Sequence, residues 1–143
     1  MLKGIPEIIS PSLMKTLMEM GHGDEIVLAD RNFPASSCAK RLIRADGHGI
    51  VPLLDAILLY LPLDYAVEYN VALMSVTPGE QYEPTIWDEY SSILHKRSQE
   101  FKGNEYLDRF SFYERSQKAY AIIATGESAR FANIILKKGV IRT

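Results

Sequence analysis

The chain has 143 residues, 47% hydrophobic and 24% charged, with 16 basic and 18 acidic side chains and a net charge of −2. This length fits one domain over residues 1–143, able to bury roughly two-thirds of its unfolded surface without metal or disulfide. The mixed charge argues against the basic face that nucleic-acid binding needs, and Lys137-Lys138 near the C-terminus is only a short basic pair.

In chain order, Ser10 as N-cap and Pro11 at the first helical position predict a helix, with Leu13, Met14, Leu17 and Met18 on its buried face and Gly21 as its stop. Glu25 to Asp30 reads as a buried strand, Arg31 to Lys40 as a loop and Arg41 to Arg44 as a short strand closed by an Asp46-Gly47 turn. Leu53, Leu54, Ile57, Leu58 and Leu61 form a second helical stripe. Asn70 to Val76 is strand-like. A third helical face follows at Ile86, Trp87, Tyr90, Ile93 and Leu94, with acids early and Lys96 and Arg97 late, as the helix dipole favours. Tyr106 to Phe110 is expected as a strand and Phe112 to Lys118 as a helix. Tyr120 to Thr125 and Asn133 to Leu136 are expected to pair as a hairpin around Gly126-Glu127. The alternation implies an α/β fold: one three-layer domain, a central mixed and mostly parallel sheet with helices on both faces, and a C-terminal β-hairpin.

The segment Met1 to Glu7 lacks the apolar stretch of a signal peptide, and the longest apolar run, Ile50 to Leu63, is broken by Pro52, Asp55 and Pro62 and is too short to span a bilayer. Cys38 is the one cysteine, so no internal disulfide is expected, which suits the cytoplasm; beside Ser36 and Ser37 it is a nucleophile candidate without an activating cation nearby in sequence.

Chemistry concentrates around three histidines. His22 stands between two glycines just before the first strand, where little bulk shields its ring; it is open to acid–base catalysis or plain turn duty. Asp30 closes that strand, at the end where open α/β sheets place functional groups. His48, also flanked by glycines, suits a turn, and His95 suits a helix C-terminus. His22, Asp24, Asp30 and His48 could ligate metal, but none has ligand spacing, and Gly21-His22-Gly23-Asp24 lacks the pattern of a phosphate loop. No metal and no cofactor are expected. The run Asp108-Arg109-Phe110-Ser111-Phe112-Tyr113-Glu114-Arg115 mixes aromatic faces with directed polar groups, as sugar sites do; equally, Phe110 and Phe112 could be core and Arg109 could pair with a surface acid.

The runs Met20 to Asp30, Asn32-Phe33-Pro34, Ile43 to Gly47, Arg109-Phe110, Phe112 to Arg115, Ala124 to Glu127 and Asn133 to Val140 together resemble the ribose pyranase and fucose mutarotase family, in its fucose branch, over nearly the whole chain. The resemblance implies acid/base-catalysed interconversion of the α and β anomers of L-fucose, with no cofactor. It implies His22 as general acid/base and Asp30 as a sugar-binding carboxylate, together forming one wall of the sugar site. Arg109, the basic residue that marks the fucose branch, would bind the sugar by charge-assisted hydrogen bonds, and Phe131-Ala132-Asn133 would be a sugar-contacting tripeptide. The tripeptide usually begins with tyrosine; Phe131 keeps the aromatic face but lacks one hydroxyl, worth about 1 kcal/mol, which Tyr113 or Tyr120 could supply. The resemblance further implies a cytoplasmic homo-oligomer, a ring-shaped decamer with sites at subunit contacts, and a monosaccharide substrate with no nucleic-acid or membrane partner. The rival readings are ribose pyranase activity and a non-catalytic monosaccharide-binding module.

Overall fold

The computed structural model describes residues Met1–Thr143 and runs, in chain order, α1 (Pro11–Glu19), β1 (Glu25–Ala29), α2 (Ala35–Cys38), β2 (Leu42–Ala45), α3 (Ile50–Ile57), β3 (Val71–Met74), α4 (Ile86–Arg97), β4 (Asn104–Leu107), α5 (Arg109–Lys118), β5 (Ala121–Thr125) and β6 (Ile134–Lys137). The strands form one six-stranded sheet in the order β2-β5-β1-β6-β3-β4. β1 to β5 run parallel, and only β6 opposes its neighbours, β1 and β3. A mixed, mostly parallel sheet is the expected architecture, but the expected hairpin does not form. β5 and β6 lie on opposite sides of β1. The run Ile26 to Ala29 is buried throughout, and its ladder groups take a partner strand on each edge, so the Gly126–Asn133 segment carries the chain past the end of β1 rather than turning it back.

Helices cover both faces. Ile26, Leu28, Leu73, Ile123 and Ile134 point to one side, where they meet Leu13 and Leu17 of α1, Leu53 and Ile57 of α3, and Tyr90 and Leu94 of α4. Val27, Ala72, Ile122 and Ile135 point to the other, against Ala35 of α2 and Phe112 of α5. With both faces dry, the central strands read as continuous apolar runs without alternation. The outer strands β2 and β4 are the more exposed, whereas β1 and β6 open only at Glu25 and Lys137.

Local signals explain the element ends. Ser10 Oγ accepts the Leu13 N–H at 3.1 Å, as an N-cap should. Met18, expected in the core, is 79% exposed: it lies about 100° round the helix from buried Leu17. The expected loop after β1 contains the single turn α2. β4 stops at Leu107, because the Asp108 carboxylate accepts both the N–H and the hydroxyl of Ser111 and starts α5 at Arg109. No helix is long and apolar enough to cross a membrane.

Candidate functional site

The chain leaves β1 toward β2 through α2 on one face, and leaves β3 toward β4 through α4 on the other. The carboxyl ends of β1 and β3 therefore diverge, and a crevice opens between them, where such sheets bind ligands. The start of β6 enters this crevice. A hollow of about 190 Å³ results, lined by Asp30, Asn32, Phe33, Met74, Tyr113, Arg130, Phe131 and Asn133. A larger hollow of about 520 Å³ shares Asp30 and Phe33 and opens toward β2, but its Arg44 is already held by Asp46 at 2.6 Å.

Asp30 is held from both sides. Its N–H donates to Asn133 Oδ1 at 2.7 Å, while the hydroxyl of buried Thr125 donates to the carbonyl of Ala29 at 2.7 Å and accepts the Glu127 N–H. The bond to Asp30 fixes which end of the Asn133 amide is oxygen. That leaves its Nδ2 as a donor on the side of the Asp30 carboxylate, at the wall of the hollow. Burial pushes the Asp30 carboxyl above its ordinary value, against the N–H groups of Asn32 and Phe33 and the Asn133 side chain, which favour the anion.

Phe131 is the only non-glycine residue with positive φ, at 56°. That conformation costs on the order of 1–3 kcal/mol and persists only where surroundings impose it. Here they do. The Trp87 indole N–H donates to the Phe131 carbonyl at 2.8 Å, and the Tyr90 hydroxyl donates to the Ala132 carbonyl at 2.6 Å. The Phe131 ring lies 5.9 Å from that of Tyr82, and Arg130, paired with Glu80 at 3.0 Å, covers both rings.

His22 lies elsewhere. It precedes β1 at the amino edge of the sheet, whereas Asp30 follows β1 at the carboxyl edge. The five residues of β1 separate them by roughly 16 Å. Within one chain the two do not form one wall of a site, as the sequence suggested; an extended strand carries its ends apart. At its own edge, His22 Nε2 lies 3.2 Å from Asp64 Oδ1. The His22 side chain is 52% exposed and that of Asp64 only 5%. Burial would raise the Asp64 carboxyl, but the Ala66 N–H and His22 outweigh it and hold the group below its ordinary value, as a carboxylate. This is a histidine oriented by a buried anion, presented outward.

Arg109 is also apart. It opens α5 beyond β4, three strands from β1, or roughly 14 Å across the sheet. It makes no ion pair, and its guanidinium lies 5.1 Å from the ring of Phe110, which is 72% exposed, so neither the core role nor the acid partner applies to these two. Phe112 is fully buried. Of the expected site residues, the crevice thus gathers Asp30, Phe131 and Asn133, with Ala132 buried behind them. Tyr113 lines it; Tyr120 instead points its hydroxyl at Glu19 beneath Arg41.

The remaining candidates have structural duties. His48 bridges Ala45 and Gly126 through its backbone, and His95 bonds the Ser91 carbonyl within α4. Glu25 is bound by Arg115 at 2.6 Å, and Asp24 accepts the Gly21 N–H. No three metal-binding side chains converge. Sequence reading missed Asp64, Met74, Thr125, and the roles of Trp87 and Tyr90. Thr125 and Tyr113 lay within runs already singled out, and Trp87 and Tyr90 on a helical face read as core, but Asp64 and Met74 belong to no motif, and only the tertiary fold gives each of these residues its partners.

Fold and crevice define a doubly wound α/β protein with a small, polar-lined hollow at the carboxyl edge of its sheet. The chain belongs to the RbsD / FucU transport protein family, whose pattern matches residues 3–141. It is 50% identical to the human fucose mutarotase over 98% of this chain and 94% of that protein. It is similar in structure to the Streptococcus pneumoniae fucose mutarotase solved in complex with L-fucose, with a TM-score of 0.95, 55% identity, and coverage of 99% of this chain and 100% of that one. The fold, at 23% identity and a TM-score of 0.74, extends to Bacillus subtilis RbsD complexed with D-ribose, covering 99% of this chain and 100% of that one.

Proposed function

We propose that this protein is an isomerase that interconverts the α and β anomers of L-fucose. The observation that carries the reading is full-length identity at 50% or more to fucose mutarotases, one of them solved with L-fucose, combined with a crevice whose free groups suit a sugar. Asp30 and the Nδ2 of Asn133 orient hydroxyls, and Phe131 and Met74 offer apolar contact to the ring faces. The Tyr113 hydroxyl takes the place of the one that Phe131 lacks.

The reaction needs one group to remove the proton of the anomeric hydroxyl and another to protonate the ring oxygen. The ring opens to the aldehyde, C1–C2 rotates, and the ring recloses on the other face. Nothing is oxidised or transferred, so the chemistry calls for no cofactor. His22 moves the proton, and Asp64 orients it and stabilises its charged form. Because His22 is roughly 16 Å from Asp30 along β1, a second copy must bring its amino edge to this crevice. Arg109 at the start of α5, its guanidinium over the exposed Phe110 ring, binds the sugar in the same way, from a neighbouring copy. A closed homo-oligomer follows, a decameric ring by the family resemblance, acting in the cytoplasm.

Magnetisation-transfer NMR between the anomeric protons of L-fucose, with D-ribose as a control, tests the reading. Accelerated exchange of fucose, lost in His22→Ala, is expected. Faster exchange of ribose than of fucose moves the protein to the pyranase class. Full activity in His22→Ala, or no exchange with native protein, removes the catalytic reading in favour of a sugar-binding module.

A further inference from the structure

We propose that Trp87 and Tyr90 are positioning residues for the sugar, acting through the backbone of the Phe131-Ala132-Asn133 turn. The inference rests on the reading of the crevice as the L-fucose site. The two residues stand three apart on α4 and so share one face of the helix. Each captures one of two consecutive carbonyls, Trp87 that of Phe131 at 2.8 Å and Tyr90 that of Ala132 at 2.6 Å.

A carbonyl shares a rigid peptide plane with the next residue's N–H. Holding the Phe131 carbonyl therefore fixes the plane that enters Ala132, and holding the Ala132 carbonyl fixes the plane that enters Asn133. Between them they set where the Phe131 ring and the Asn133 amide project. The turn does not hold itself: Phe131 sits at φ 56°, from which a non-glycine residue relaxes when released. Tyr90 and Ala132 are both fully buried, so no water replaces the lost hydroxyl. Asn133 in turn holds Asp30 through its Oδ1. Neither Trp87 nor Tyr90 lines the hollow. α4 thus sets the shape of the binding surface from behind it.

Trp87 is the only tryptophan, so a ¹H–¹⁵N spectrum holds a single indole signal, and that N–H ends on a site residue. Titrating L-fucose into native protein is expected to shift this signal saturably, in step with occupancy of the site. Tyr90→Phe and Trp87→Phe are expected to raise KM for anomer exchange roughly tenfold while changing kcat less than about threefold, the split that loss of ground-state binding produces. Arg97→Met supplies the control: it breaks the pair between Arg97 of α4 and Asp55 of α3, away from the crevice, and should lower thermal stability with KM unchanged. An indole signal unmoved at saturating L-fucose overturns the proposal. So do unchanged KM values in both aromatic variants, or an equal rise in Arg97→Met. Native protein without fucose exchange overturns the function reading and this inference with it; exchange with unaltered KM in the variants overturns this inference alone.

Discussion

The backbone N–H of Asp30 and the side-chain oxygen of Asn133 meet at 2.7 Å across 103 residues of chain. The bond ties the end of β1 to the start of the antiparallel β6 and turns the Asn133 amide nitrogen toward the Asp30 carboxylate and the hollow. Asn133→Asp tests that division of labour. It keeps the acceptor for Asp30, removes the donor, and sets a second negative charge beside Asp30. KM for L-fucose is expected to rise roughly tenfold to a hundredfold, with secondary structure intact by circular dichroism.

Asp30 and Asp64 should respond to pH with opposite signs. Burial raises the Asp30 carboxyl, so ionising it weakens the fold as pH climbs from the ordinary carboxylate range through its raised value. Asp30→Asn should therefore melt higher than native protein at pH 7, the gap closing as pH falls toward about 4. Asp64 is held low by the Ala66 N–H and His22, against its burial, so its stabilising effect is present at neutral pH and lost as pH falls through its lowered value. Asp64→Asn should melt lower at pH 7, with that gap also closing in acid. Melting curves of both variants between pH 3 and 8 decide the signs.

A site completed by a second copy permits complementation. His22→Ala and Asn133→Ala should each be nearly inactive, His22→Ala by roughly 10²- to 10⁴-fold. Co-expressed in equal amounts, they should regain about a quarter of native activity, the share of contacts at which both halves are intact. Anomer exchange no faster than in either variant alone shows that each chain works by itself.

Thr125 is a support whose loss should be felt in both stability and affinity. Its buried hydroxyl donates to Ala29 and accepts from Glu127. Thr125→Val keeps the shape and strands both partners, at about 1–3 kcal/mol in denaturant unfolding. Asp30 follows Ala29 directly, so KM should rise as well.

Much of this protein is determined locally. Apolar runs near Ile26, Val71, Ile122 and Ile134 mark the buried strands, because strands covered on both faces need no polar side. Ser10 and Pro11 start α1 because capping is a contact between near neighbours. Family membership was legible too, since motifs such as Met20 to Asp30 are contiguous in sequence. Only the tertiary structure decided which strand lies beside which: the hydrogen-bonding needs of β1 draw β5 and β6 to its two edges and abolish the hairpin that their sequence proximity implied. It also decided the site. His22 and Asp30, eight positions apart in sequence, go to opposite edges of the sheet because an extended strand spends its length separating its ends. Asp30 and Asn133 come together because β6 runs backwards beside it.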